Sequence, residues 1–275
     1  MSGAFGVLRD GLFAGRTAVV TGGGRGMGKA IALRFGALGA NVVVAGRHME
    51  TLSETADEVE AAGGTALAIA TDIREVERVD ALVTGAVERF GRIDCVINNA
   101  GGQFPARPSE ITGRGWRSVI DLNLNGTWNV LSRVGPLLTA QRSGAVVNIV
   151  HVYSFERGAP AFIHSGAARA GVVSMTRTLA NYWARHGVTI NALAPGSIAT
   201  EGLREKEYAQ LGTEDYETHQ VRDIPAHRLG ERDEMAEICA FLCSPAARYI
   251  NGAVIVADGG QGLGNWTDVW DMDQA

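Results

Sequence analysis

The stretch T-G-G-G-R-G-M-G, Thr21 to Gly28, follows a short β-branched run at Thr17–Val20 and leads into a helical pattern at Met27–Leu38. Glycines in that order let the chain turn tightly and approach a pyrophosphate, which rests on the positive N-terminus of the helix. A glycine cluster by itself can be a plain turn. Its position between a strand and a helix is what favours a nucleotide site. The competing P-loop reading uses Gly23 to Lys29, G-x-x-x-x-G-K, and stops at Ala30, where a magnesium-binding hydroxyl is required. A kinase or NTPase is therefore set aside.

Outward from this loop the same alternation continues. Apolar runs at Asn41–Ala45, Ala66–Ala70, Cys95–Asn98, Ala145–Val150, Thr189–Leu193 and Val254–Ala257 read as strands, several of them apolar on consecutive residues. Helical patterns lie between them at Met49–Ala62, Glu75–Phe90, Gly115–Thr139, Ala161–His186 and Glu231–Leu242. Strict alternation predicts an α/β fold, a single doubly wound parallel sheet of about seven strands with helices on both faces, of Rossmann type. Residues 1–275 then form one domain, with a polar insert at 201–227 expected to cover substrate and an acidic tail at 261–275.

Composition agrees. Of 275 residues 36 are Gly, nearly double the usual share of ~7%, as a fold with many strand-to-helix turns requires. A net charge of -5 gives no electrostatic footprint for nucleic acid. Three scattered cysteines make neither a disulfide framework nor a metal-ligand spacing, so no metal is expected. No apolar run is long enough for a membrane span and the N-terminus carries no signal pattern, which together lead to the expectation of a cytoplasmic protein.

The second strand bears on the dinucleotide. An NAD site places an acid on the ribose about 20 residues past the loop. Here the strand ends A-G-R-H, and Arg47, with Arg25 from the loop, is suited to a 2′-phosphate. NADP is the expected cofactor.

The glycine loop, Asp72 after the third strand, N-N-A-G at Asn98–Gly101 and P-G-S-I-A-T at Pro195–Thr200 together resemble the short-chain dehydrogenase/reductase family. The resemblance runs from about Gly15 to Gly260. It implies cofactor contacts from Gly22, Arg25, Gly26, Met27, Gly28 and Arg47, with Asp72 meeting the adenine. It further implies contacts from Asn99, Ala100, Gly101, Pro195, Gly196, Ile198 and Thr200, and a homo-oligomer, commonly a tetramer.

The family's catalytic Tyr, followed four residues later by Lys, is absent. H-S-G-A-A-R-A-G, His164 to Gly171, puts Ser165 at the Tyr position and Arg169 at the Lys position, and His151 stands near the usual Ser. Ketone reduction needs a proton donor at the oxygen, and Arg cannot relay that proton. Reducing a C=C bond conjugated to a thioester instead needs hydrogen-bond donors around an enolate oxygen. H-S-G-A-A-R-A-G and N-N-A-G-G-Q-F (Asn98–Phe104) resemble the trans-2-enoyl-CoA reductase branch. H-V-Y-S-F-E-R-G (His151–Gly158), L-N-G (Leu124–Gly126) and E-G-L-R (Glu201–Arg204) are similar to the 2,4-dienoyl-CoA reductases. That resemblance makes Tyr153 and Asn125 the thioester ligands, with Ser165 assisting, Asn123 matching the wider family's Asn, and Arg169 on the nicotinamide ribose. The expected substrate is an acyl thioester, most simply CoA-linked. Two rivals stay open: an alcohol or 3-hydroxyacyl dehydrogenase using Tyr153 as acid or base, and a non-catalytic NADP-binding scaffold.

Overall fold

Alternate side chains of each central strand leave the sheet on opposite faces, and two cores result. A computed structural model describes residues 8–154, 158–203 and 216–263. Val20, Val42, Val44, Ile97 and Val147 join Ile31, Phe35, Leu38, Met235 and Cys239 in one core. Val19, Val43, Val96, Val146 and Ile190 join Leu82, Leu131, Leu138 and Trp183 in the other. A strand flanked by both cores has no polar face, which is why these runs are apolar on consecutive residues.

The elements are β1 (Thr17–Thr21), α1 (Gly26–Ala37), β2 (Asn41–Gly46), α2 (Met49–Ala61), β3 (Thr65–Ala70), α3 (Val76–Phe90) and β4 (Cys95–Asn98). After them come α4 (Gly113–Ile120), α5 (Gly126–Gln141), β5 (Gly144–Ile149), α6 (Ile163–Trp183) and β6 (Val188–Pro195). Then follow α7 (Tyr216–Asp223), α8 (Arg232–Cys243) and β7 (Val254–Ala257). Among the described residues the strands form one seven-stranded sheet in the order β3-β2-β1-β4-β5-β6-β7, and every pairing is parallel. The direction of winding reverses between β1 and β4, and a crevice opens beyond the carboxyl ends of those strands.

Two differences from the expected elements matter. The pattern over Gly115–Thr139 reads as one helix, but the backbone widens to a π-type turn at Asp121–Asn125 between α4 and α5. The insert at 201–227 contains a helix, α7, that its polar sequence did not announce. Residues 204–215 of that insert and 264–275 of the tail lie outside the described residues. No helix of the described residues is long and apolar enough to cross a membrane.

Candidate active site

The glycine loop is held by the strand beside it. Thr21 Oγ1 accepts from the backbone N–H of Asn99 (3.1 Å) and of Ala100 (3.0 Å), and Asn99 Nδ2 donates to the carbonyls of Thr21 (3.0 Å) and Gly22 (3.2 Å). The first turn and the N-N-A-G turn are thereby one rigid unit. Gly22 and Gly26 hold positive φ of 67° and 54°, which an L side chain rarely adopts. A Cβ on Gly28 would stand 2.1 Å from the Gly22 carbonyl oxygen. The loop is thus closed to side chains, and it borders the crevice at the start of α1. This cradle fits a dinucleotide pyrophosphate.

The crevice continues as a cleft of about 360 Å³, bordered by Gly22, Arg25, Gly26, Met27 and Gly28 on one side and by Asn99, Ala100 and Gly101 on another. Tyr153 and Arg169 also border it, as do Pro195, Gly196, Ile198 and Thr200. Most of the expected cofactor residues are therefore brought together. Gly196 is tightly enclosed, since a Cβ there would lie 2.5 Å from Gln261 Oε1, whose oxygen also accepts from the Ser197 N–H at 2.8 Å.

Arg47 and Asp72 stand outside this border. They follow β2 and β3, which are register neighbours through Gly46 and Ala70. Arg47 is exposed, while Asp72 is gripped by Arg74, with Nε at 2.9 Å from Oδ1. That bond, with the neighbouring Arg47 charge adding to it, holds the Asp72 carboxyl below its ordinary pKa.

Arg169 reaches from α6 to the end of β5, where its Nη1 donates to the carbonyls of Ile149 (2.8 Å) and Val150 (3.4 Å). A Cβ on Gly101 would touch its Nη2 at 2.7 Å, so the absence of a side chain there lets the guanidinium approach the cleft. Helix α6 is registered by a buried polar chain: Asn98 Nδ2 donates to Asn148 Oδ1 (2.8 Å), and Asn148 Nδ2 donates to Thr176 Oγ1 (2.9 Å). Asn123 has a structural task. Its Nδ2 donates to the carbonyls of Val119 and Gly102, both at 2.8 Å, and its Oδ1 accepts from the Gly102 N–H at 3.2 Å.

Asn125 requires a correction. It is exposed, its amide donates to Asp121 Oδ1 at 2.9 Å, and it borders neither the cleft nor the cavity beside it. The π-type turn sets this outcome, because the extra backbone residue turns Asn123 inward and carries Asn125 to the outer surface. Ser165 lines the same side cavity as Tyr153 and His151. It is buried and borders this adjoining cavity of about 640 Å³ rather than the dinucleotide cleft.

His151 emerges as more central than its sequence suggested. It borders both cavities, as do Tyr153, Gln103 and Phe162. The Tyr153 backbone N–H donates to His151 Nδ1 at 3.2 Å, and the two rings lie 4.8 Å apart. Burial, with the Arg169 charge adding to it, pushes the His151 pKa down to about 3. The imidazole is therefore neutral near pH 7 and carries its proton on Nε2, since Nδ1 is an acceptor. Gln103 was visible within N-N-A-G-G-Q-F, but no spacing rule marked it; only the fold of the β4 loop brings it to the junction.

A parallel sheet with a glycine cradle at its reversal point defines a nucleotide-binding protein of the doubly wound α/β class. The family model described as enoyl-(acyl carrier protein) reductase matches residues 22–261. The "Probable 2,4-dienoyl-CoA reductase [(2E)-enoyl-CoA-producing]" of Bacillus subtilis is 38% identical over 90% of this chain and 97% of its own. The 3-oxoacyl-[acyl-carrier-protein] reductase of Synechocystis is 37% identical over 89% of this chain and 96% of its own. Among solved structures, a short chain dehydrogenase from Bacillus anthracis aligns with a TM-score of 0.82 at 37% identity, over 92% of this chain and 99% of that one. The chain belongs to the short-chain dehydrogenase/reductase family and is an oxidoreductase that uses a nicotinamide dinucleotide.

Proposed function

We propose that the protein is an NADPH-dependent reductase of α,β-unsaturated acyl thioesters, trans-2-enoyl-CoA or 2,4-dienoyl-CoA. The observation that carries this reading is Arg169: a permanently charged guanidinium, bonded to two backbone carbonyls, stands where a ketone reductase needs a proton-relaying cation. Proton supply to an alkoxide is thereby lost, whereas hydrogen bonding to an enolate is not.

When bound, NADPH supplies the hydride. The glycine loop and the α1 N-terminus hold its pyrophosphate, and Arg25 with the rim residue Arg47 attracts the 2′-phosphate. Tyr153 and His151 border both cavities, and in this reading the Tyr153 hydroxyl and the His151 Nε2–H donate to the thioester oxygen. A neutral imidazole serves here as an electrophile that needs no change of protonation. Ser165 supports this corner from the adjoining cavity, where the acyl chain lies against Pro160, Phe162 and Ile163. The α-carbon takes its one proton from water.

The insert at 201–227 acts as the substrate flap, a reading supported by Leu203 and Gln220 on the cleft border. The whole chain is taken as one cytoplasmic reductase domain that forms a homo-oligomer, for which the exposed Trp128 and Tyr182 on α5 and α6 are the support.

The test follows NADPH oxidation with trans-2-enoyl-CoA, 2,4-dienoyl-CoA, 3-ketoacyl-CoA and a simple ketone. Turnover is expected on the unsaturated thioesters, and Tyr153→Phe should lower kcat by about 10²-fold while leaving NADPH binding intact. Turnover confined to the ketones would overturn the reading in favour of an alcohol or 3-hydroxyacyl dehydrogenase. Binding of NADPH with no turnover would favour a scaffold.

A further inference from the structure

At the opposite edge of the sheet, where β1, β4, β5 and β6 begin, lies a third cavity, of about 290 Å³. Arg16, Arg142 and Arg248 line it, with Ser143 and Ser244 beside them. These arginines are far apart in sequence and converge because each closes a connection into or beside the sheet: Arg16 precedes β1, Arg142 lies between α5 and β5, and Arg248 lies between α8 and β7. Among the described residues none of the three is paired with a carboxylate. The acid in the wall, Asp94, is already engaged: Arg92 grips it at 2.8 and 2.6 Å, and the Thr17 N–H donates to it at 3.0 Å. The cavity therefore holds an excess of positive charge that the fold itself does not neutralise.

Arg142 adds an independent sign. It caps α5 with a φ of 53°, in the left-handed region, whereas α3 ends at the same kind of position with Gly91 at φ 78°. A non-glycine residue in that region is strained, so an Arg there points to a use for its side chain. The guanidinium is also steadied, since one Nη donates to the Arg185 carbonyl at 3.3 Å.

We propose that this cavity binds a compact phosphate-type polyanion, such as pyrophosphate, at a site separate from the dinucleotide cleft. Guanidinium forks match phosphate oxygens bidentately, and three of them around one pocket suit a ligand with several anionic oxygens. The volume lies at the lower end of ligand sites (~300–1,000 Å³), which favours a small anion over a whole nucleotide. By joining three connections the anion would stabilise the folded chain.

The test is calorimetric titration of the full-length protein with pyrophosphate, inorganic phosphate and adenosine 3′,5′-bisphosphate. Pyrophosphate should bind the wild type, the Arg16→Gln/Arg248→Gln pair should weaken it by about tenfold or more, and Arg25→Gln in the cofactor loop should leave it unchanged. Tighter binding of the bisphosphate through the same arginines would make the ligand a nucleotide-borne phosphate and support the site. Absence of binding by any of the three overturns the proposal. So does binding that the pair leaves unchanged or that saturating NADPH abolishes, because the anion is then in the dinucleotide cradle. Should the pair fail to fold, the exposed Arg248→Gln alone gives the same discrimination.

Discussion

At the scale of single residues, the site is governed by which groups keep or lose a proton. His151 is held neutral by burial and by the Arg169 guanidinium, with its pKa pushed to about 3. The unfolded chain takes up a proton on that ring as pH falls below ~6.5, while the folded chain does not until about pH 3. The unfolded state thus binds more protons across that window, and stability should fall with pH through it. We expect urea midpoints to drop between pH 6.5 and 4 in the wild type and to drop less in His151→Gln. An equal slope in both proteins would show that the ring is not held neutral. The same residue scale explains why the sequence does not single out His151: a lone histidine carries no spacing signal, and its tautomer is decided by the Tyr153 N–H, a backbone partner with no sequence mark. Tyr153, by contrast, was legible through its surrounding motif.

At the scale of elements, the glycine loop and the N-N-A-G turn are legible because their chemistry is local to the backbone. Tight turns, positive φ and closeness to a helix start are written in the residues that allow them. Helix α6 is different. Its register, and with it the position of Ser165 and Arg169, depends on the buried chain from Asn98 through Asn148 to Thr176. Asn148→Ala would leave Asn98 and Thr176 with unmet hydrogen-bonding groups in the interior, at a cost of about 2–4 kcal/mol. Denaturant unfolding measures that loss, and kcat should fall with it because Arg169 loses its registration against β5. The π-type turn at Asp121–Asn125 was not legible at all. Apolar periodicity across Gly115–Thr139 averages over one inserted residue, and that residue decides which asparagine of N-L-N faces inward.

At the scale of the whole molecule, folding places Arg25 after β1 and Arg47 after β2, two strands that pair in parallel, so both lie at the C-terminal edge of the sheet. If both act on a 2′-phosphate, NADPH should raise the melting temperature more than NADH at equal concentration. At a hundred times its Kd, NADPH should add roughly 5–10 °C, and Arg47→Ala should bring the two cofactors close together. Equal stabilisation by both in the wild type would count against the choice of NADP. The sequence by itself determined the alternation of strands and helices, the glycine cradle and the loss of the Tyr-Lys pair, because each is set by residues adjacent in the chain. The tertiary structure alone decided that Asn125 faces outward, that His151 and Gln103 meet at the junction of two cavities, and that three distant arginines share a pocket. Those outcomes depend on register and backbone winding, which follow from how both faces of the sheet are packed and leave no periodic trace in the chain.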